Sequence, residues 1–265
     1  MNPAALALAQ IGAYGLASGL YLGLFLGGGQ RLAGWACFLF LLGFAAHLGD
    51  IGIGCFDARH PLSSTSEALS FVGWLLAGGF LLASLRNRLA TTGAFAAPTV
   101  LVFVLLARVL PDSGARAGGS GLATIHILLS TAGEALFALA AVLALIYIVQ
   151  ERRLKRKDFT GLRDGAAPLE TLDRLSRLCV LIGFPIFTLA ITTGAVLVAR
   201  LGLLRSGKDI RAEYLFAVVS WFAYGALIIA RRSAGWQGRR AAWLTVSGFA
   251  AALLVLVGYF LRRLS

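Results

Sequence analysis

Long apolar runs separated by short polar breaks fill this chain from end to end. Eight of them stand near residues 5–26, 32–53, 66–85, 93–110, 122–149, 175–200, 212–230 and 241–261, each close to the ~20 residues a helix needs to cross a ~30 Å hydrocarbon layer. In lipid every backbone amide must find its partner inside the protein, and runs of this length are too long for barrel strands, so each is predicted to be helical. The expected fold is an all-α, polytopic membrane helix bundle of about eight transmembrane helices, forming a single transmembrane domain over 1–265. No cation precedes the first run, which therefore reads as a retained span and not a cleaved signal.

Composition agrees with the pattern. With 58% hydrophobic and 14% charged residues and a mean hydropathy of +0.82, there is too little polar surface to coat a soluble globule, so the lipid bilayer is the expected solvent. The net charge of +12 would suggest nucleic acid in a soluble protein. Here the basic residues cluster in breaks between apolar runs, as cytoplasmic loops require, and no nucleic-acid role is expected. The breaks after the first, third, fifth and seventh runs hold Arg31, Arg86, Arg88, Arg152, Arg153, Lys155, Arg156, Lys157, Arg163, Arg174, Arg231, Arg232, Arg239 and Arg240. The other side holds Arg59, Arg116, Arg205, Lys208, Arg211, Arg262 and Arg263. Fourteen against seven favours the first set inside and both termini outside, in a multi-pass membrane protein. The run Glu151 to Lys157 reads as a cytoplasmic stop after a long span. Cys37, Cys55 and Cys179 are scattered and form neither a zinc nor a thiol-disulfide pattern.

That orientation brings all three histidines to the outer side: His47 near the end of the second run, His60 in the loop after it, and His126 at the head of the fifth. Neutral imidazole is a common ligand for haem iron and transition metals, which makes His47 and His126 the candidate cofactor and metal ligands. A headgroup-zone imidazole bonded to a backbone carbonyl is the alternative. Asp50, three residues after His47, could orient that ring from behind. Glu134 lies two turns deeper than His126, near mid-bilayer, where a lone carboxylate costs ~2.5–3.5 kcal/mol unless protonated or paired. It is therefore expected to face the bundle interior, either near a cofactor or as a neutral partner of Ser130 or Thr131. Asp57 and His60 read as solvated loop residues. Phosphate-loop, zinc-protease, serine-hydrolase and paired-carboxylate patterns are all missing, so no enzyme activity is expected, and no inverted repeat suggests a transporter.

Several stretches together resemble a known family. They are His126 to Ser130 with Gly133 to Phe137 and Gln150 to Lys155; Pro168 to Leu172; Gly183, Phe184, Pro185, Thr188, Thr193 and Gly194; Ser220, Trp221 and Tyr224; and Gly235, Trp236, Gly238 to Ala241, Gly248 and Phe249. In order and spacing they are similar to the cytochrome c assembly proteins of the CcsA/CcmC type, nearest to the shorter HemX-like and YpjD-like branch. The likeness is weakest before Ala45. It implies a bundle of eight or more spans engaged in haem handling, with His126 as the outer haem-side histidine and His47 as the histidine inside the bundle.

One departure narrows the expectation. Haem-presenting members carry a Trp-rich motif in the loop between spans six and seven, then a further outer histidine. Here residues 201–213 contain no Trp, and no histidine follows position 126. The resemblance thus implies an inner-membrane accessory protein of cytochrome c biogenesis or haem handling, with haem b near the outer leaflet on His47 and His126. Its expected partners are the bilayer, haem and other membrane subunits of a cytochrome assembly or respiratory complex. The alternative is a cofactor-free structural subunit or scaffold in a larger membrane complex.

Overall fold

The computed structural model describes residues 3–56, 64–87, 89–109, 121–157, 166–200 and 212–264. Among these residues run eight α-helices: α1 (Pro3–Phe25), α2 (Arg31–Phe56), α3 (Thr65–Arg86), α4 (Gly93–Val109), α5 (Gly121–Lys155), α6 (Leu169–Arg200), α7 (Ala212–Ser233) and α8 (Arg239–Leu264). A short 3-10 turn spans Ala90–Thr92, and no strand is present among the described residues. Helices α1 to α6 are each long and apolar enough to cross a membrane. The chain condenses into two compact units, Met1–Gly118 with Val149–Leu172, and Gly119–Ile148 with Asp173–Ser265.

In the first unit the helix ends follow from local sequence. Gly27 takes φ 106°, and the Gly27 and Gly28 amides donate back to the Leu24 and Gly23 carbonyls at 3.2 and 2.9 Å. This is the left-handed glycine stop that satisfies the last carbonyls of α1. Arg153 adds to it, donating from Nη1 to the Phe25 carbonyl at 3.1 Å while its guanidinium lies 4.1 Å over the Phe25 ring. At the start of α3, Ser64 Oγ accepts the Glu67 amide at 3.2 Å, the Ser-x-x-Glu signature of a capped N-terminus. Inside the unit, Tyr14, Tyr21, Phe40 and Phe80 are all buried and meet edge to face, with ring centroids 5.2 to 6.3 Å apart.

The second unit is built around Phe137 of α5. Its ring stacks on Tyr224 of α7 with centroids 3.7 Å apart and meets Phe187 of α6 edge-on at 5.3 Å. Polar side chains stitch the same helices, because lipid offers them no water. Ser176 Oγ donates to the Ala140 carbonyl (3.1 Å), Ser220 Oγ to the Gly248 carbonyl (3.3 Å), and Trp221 Nε1 to Thr188 Oγ1 (2.9 Å). Much of the sequence resemblance therefore falls on packing residues: Phe184, Thr188, Ser220, Trp221, Tyr224 and Gly248 hold helices together. Replacing Trp221 with Phe keeps the stack on Phe184 but deletes one hydrogen bond. Thermal unfolding in detergent is expected to show a loss of about 1 kcal/mol.

Candidate functional site

His126 sits half-buried on α5 in the second unit. Its Nδ1 lies 2.9 Å from the Ala190 carbonyl oxygen and 3.3 Å from Thr193 Oγ1, both on α6. A carbonyl can only accept, so Nδ1 carries the proton and donates it to Ala190. Thr193 Oγ1 is within donating distance of the Leu189 and Ala190 carbonyls at 2.8 and 2.9 Å, which uses its hydroxyl proton and leaves an acceptor toward the ring. The tautomer is thereby set, and the lone pair resides on Nε2, which has no hydrogen-bond partner among the described residues. This carbonyl bond is the one the alternative to ligation expects, and it is equally the support a ligating histidine has when its other nitrogen meets a metal.

Close approach makes the cradle possible. A Cβ added to Gly194 would stand 2.8 Å from His126 Cε1 and 3.2 Å from Nδ1. The ring thus occupies the space a side chain would need. Ser130 Oγ donates to the His126 carbonyl (2.8 Å), and Thr131 Oγ1 to the carbonyls of Ile127 and Leu128 (2.9 and 3.0 Å). Neither hydroxyl bonds Glu134, so the neutral helix contact, one of the two readings of that carboxyl, is not formed. Glu134 is half-buried and has no hydrogen-bond or ion-pair partner among the described residues.

His47 has a different setting, in the first unit. Its side chain is wholly enclosed, Nε2 lies 2.8 Å from Ser70 Oγ of α3, and Nδ1 is buried without a partner. Asp50 does not orient this ring as expected. Its carboxylate accepts Gln10 Nε2 at 3.1 Å and pairs with Arg108. A charged guanidinium is a stronger partner for a carboxylate than a neutral imidazole is. Asp50, Ser66, Glu67, Ser70, Ala107 and Arg108 line a cavity of about 80 Å³, space for a few waters but not for a porphyrin. At His126 the described residues leave Nε2 open as a donor atom of the kind haem iron takes, whereas His47 is enclosed beside a cavity too small for a porphyrin. Asp57 and His60 lie outside the described residues. Among the described residues no group of three or more His, Cys, Asp and Glu could hold a metal ion alone.

Sequence reasoning found both histidines by residue type. It missed Ala190 and Gly194 as the cradle of one, and Ser70 as the partner of the other. A backbone carbonyl acceptor leaves no mark in sequence, although Gly194 stood in a stretch already singled out by resemblance.

An all-α, multi-pass membrane protein is the class these observations define. The family described as Cytochrome C assembly protein matches residues 62–265, more than three quarters of the chain, and the chain belongs to it. His126 lies inside the matched region and His47 outside it. Relatives include the cytochrome c biogenesis protein CcsA of Guillardia theta, 26% identical over 220 residues, covering 75% of this chain and 72% of that protein. The CcsA of Prochlorococcus marinus strain MIT 9215 is 28% identical over 228 residues, covering 76% and 73%. A shorter match, 38% identical over 89 residues, joins 34% of this chain to 28% of the CcsA of Prochlorococcus marinus subsp. pastoris.

Proposed function

We propose that this chain is a non-enzymatic accessory protein of cytochrome c biogenesis in a bacterial inner membrane, and that it holds haem b through His126. The observation that carries the reading is the Nδ1 to Ala190 hydrogen bond of 2.9 Å, which in the neutral ring puts the lone pair on Nε2. Haem, if bound, would supply an iron centre that an imidazole nitrogen can ligate, and His126 would hold it. The chain's own residues do the rest. Ala190 fixes the tautomer, Gly194 gives the ring its place, and α5 and α6 hold both within the second unit. With no Trp in residues 201–213 to support an exposed ring, holding haem suits this chain better than presenting it to a thioether-forming step. Glu134, lower on the same helix, is the nearest unpartnered carboxylate in sequence and a candidate to tune the site electrostatically. His47 takes no part in ligation on this reading, because its one bonded nitrogen is committed to Ser70 and the ring is fully enclosed. Other membrane subunits of the assembly pathway are the expected recipients or donors of the haem.

The test is a haemin titration of the full chain in nanodiscs, read by the Soret band and by pyridine haemochrome content. Wild type and His47→Ala are expected to bind one haem, and His126→Ala to bind none. A His126→Ala protein with an unchanged spectrum overturns the assignment. A wild-type protein that stays colourless while copurifying with stoichiometric partners supports the scaffold reading instead.

A further inference from the structure

The first unit contains a polar interior that haem binding at His126 does not use. Gln10, Tyr14 and His47 have no exposed surface at all, yet Gln10 Oε1, the Tyr14 hydroxyl and His47 Nδ1 each lack a partner. These three groups converge. Gln10 and Tyr14 are one turn apart on α1, the Tyr14 ring meets the His47 ring edge-on with centroids 6.0 Å apart, and Gln10 bonds Asp50, one turn beyond His47. Trp74 Nε1, one turn from Ser70 on α3, is buried and unpartnered as well. Orphaned polar groups gathered in a membrane interior are the mark of enclosed water, which needs two to four polar partners.

The cluster also has an entrance. Ser70 lines the cavity that Asp50 and Arg108 flank, and the same Ser70 hydroxyl lies 2.8 Å from His47 Nε2. One side chain thus touches both the cavity and the buried imidazole. The titratable and charged groups around the route are Tyr14 on α1, Asp50 on α2, Glu67 on α3 and Arg108 on α4. Arg108 is paired with Asp50, so its charge sets no unopposed barrier at the mouth.

We propose that the interior of this unit is a hydrated half-channel for protons, opening at the Asp50 and Arg108 cavity, passing through the Ser70 hydroxyl and ending on His47 beside Tyr14 and Gln10. A hydronium in the cavity passes a proton to Ser70 Oγ as Ser70's own proton moves to His47 Nε2, which leaves a water, a regenerated hydroxyl and a cationic ring. The ring returns to neutrality by the same steps run backwards, which restores the starting tautomer and exchanges a ring proton with the cavity water. The ligand is water and the cargo is a proton. The charge count of the loops puts the mouth on the outer side of the membrane.

The experiment is water exchange of the histidine imidazole protons in the full chain, labelled with ¹⁵N-histidine and held in nanodiscs. The His47 signal is assigned by its loss in His47→Gln. Wild-type His47 is expected to exchange rapidly with water despite complete burial. Ser70→Ala should slow that exchange by about tenfold or more, as removal of an essential relay group does, and Ser70→Thr should restore it. Ala107→Leu, which fills the cavity while leaving His47 and Ser70 in the sequence, should slow it too, so the result does not depend on one variant folding. A His47 signal that stays protected for hours in wild type, or that exchanges at the wild-type rate in both Ser70→Ala and Ala107→Leu, overturns the half-channel. Haem binding at His126 is read separately, so either idea can fail alone.

Discussion

Gly194→Ala should weaken haem binding by about 10- to 100-fold while leaving His126 in the sequence, the loss typical of removing support behind a metal ligand. A methyl carbon at this position stands 2.8 Å from the ring's Cε1, too close for any real side chain, so the imidazole must move. Moving it stretches the 2.9 Å bond from Nδ1 to the Ala190 carbonyl, the contact that sets the tautomer. Both the direction of the Nε2 lone pair and its freedom from a proton then go together. Ordinary destabilisation would not imitate this result, because Ala is favoured over Gly by up to ~1 kcal/mol inside a helix. The diagnostic outcome is a haemin titration curve shifted to weaker affinity in a protein whose unfolding temperature is unchanged or raised. Thr193→Val is the control, since of the two contacts to the ring it removes only the longer 3.3 Å one, along with the hydroxyl's bonds to carbonyls of its own helix, and should cost little. Equal affinity in Gly194→Ala and wild type would mean that the cradle does not govern the ligand.

The helices themselves were readable from the apolar pattern, and the reasons are physical. Lipid forces backbone hydrogen bonds inward, so a run such as 93–110 could only become a helix, and it appears as Gly93–Val109. Misjudged ends lie where helices leave the apolar layer. The fifth run was expected to stop at 149 but α5 continues to Lys155, and the sixth was expected from 175 but α6 starts at Leu169. Those extensions carry Glu151, Arg153 and Asp173, residues that hydropathy counts as loop and that here make contacts from within helices. Tertiary partners were less legible. His126 and His47 look alike as residue types, and what separates them is a carbonyl on α6 for one and a hydroxyl on α3 for the other. Asp50 shows the limit of reasoning by neighbourhood. Spacing on α2 paired it with His47, while folding gave it to Gln10 and Arg108.

Removing one member of the Asp173 and Arg231 pair should destabilise the second unit by about 3–5 kcal/mol, the usual cost of stranding a buried charge. Arg231 of α7 holds Asp173 of α6 with two bonds, 3.0 Å from Nη2 to Oδ1 and 3.2 Å from Nη1 to Oδ2. Its side chain is only 6% exposed and that of Asp173 15%, so neither charge can fall back on water. Arg231 Nε is already buried without a partner, which leaves the guanidinium dependent on this carboxylate. Asp173→Asn is expected to lower the unfolding midpoint strongly, and Arg231→Lys to lower it less, because an ammonium can neutralise the carboxylate but cannot bridge both oxygens. The double variant Asp173→Leu with Arg231→Met should recover most of the loss, since an apolar pair carries no desolvation penalty. Because α6 also presents Ala190 and Gly194 to His126, haem affinity of the protein that remains folded should be unaffected, which separates a clamp on the helices from a role in the site. Single and double variants of equal stability would show instead that water reaches the pair.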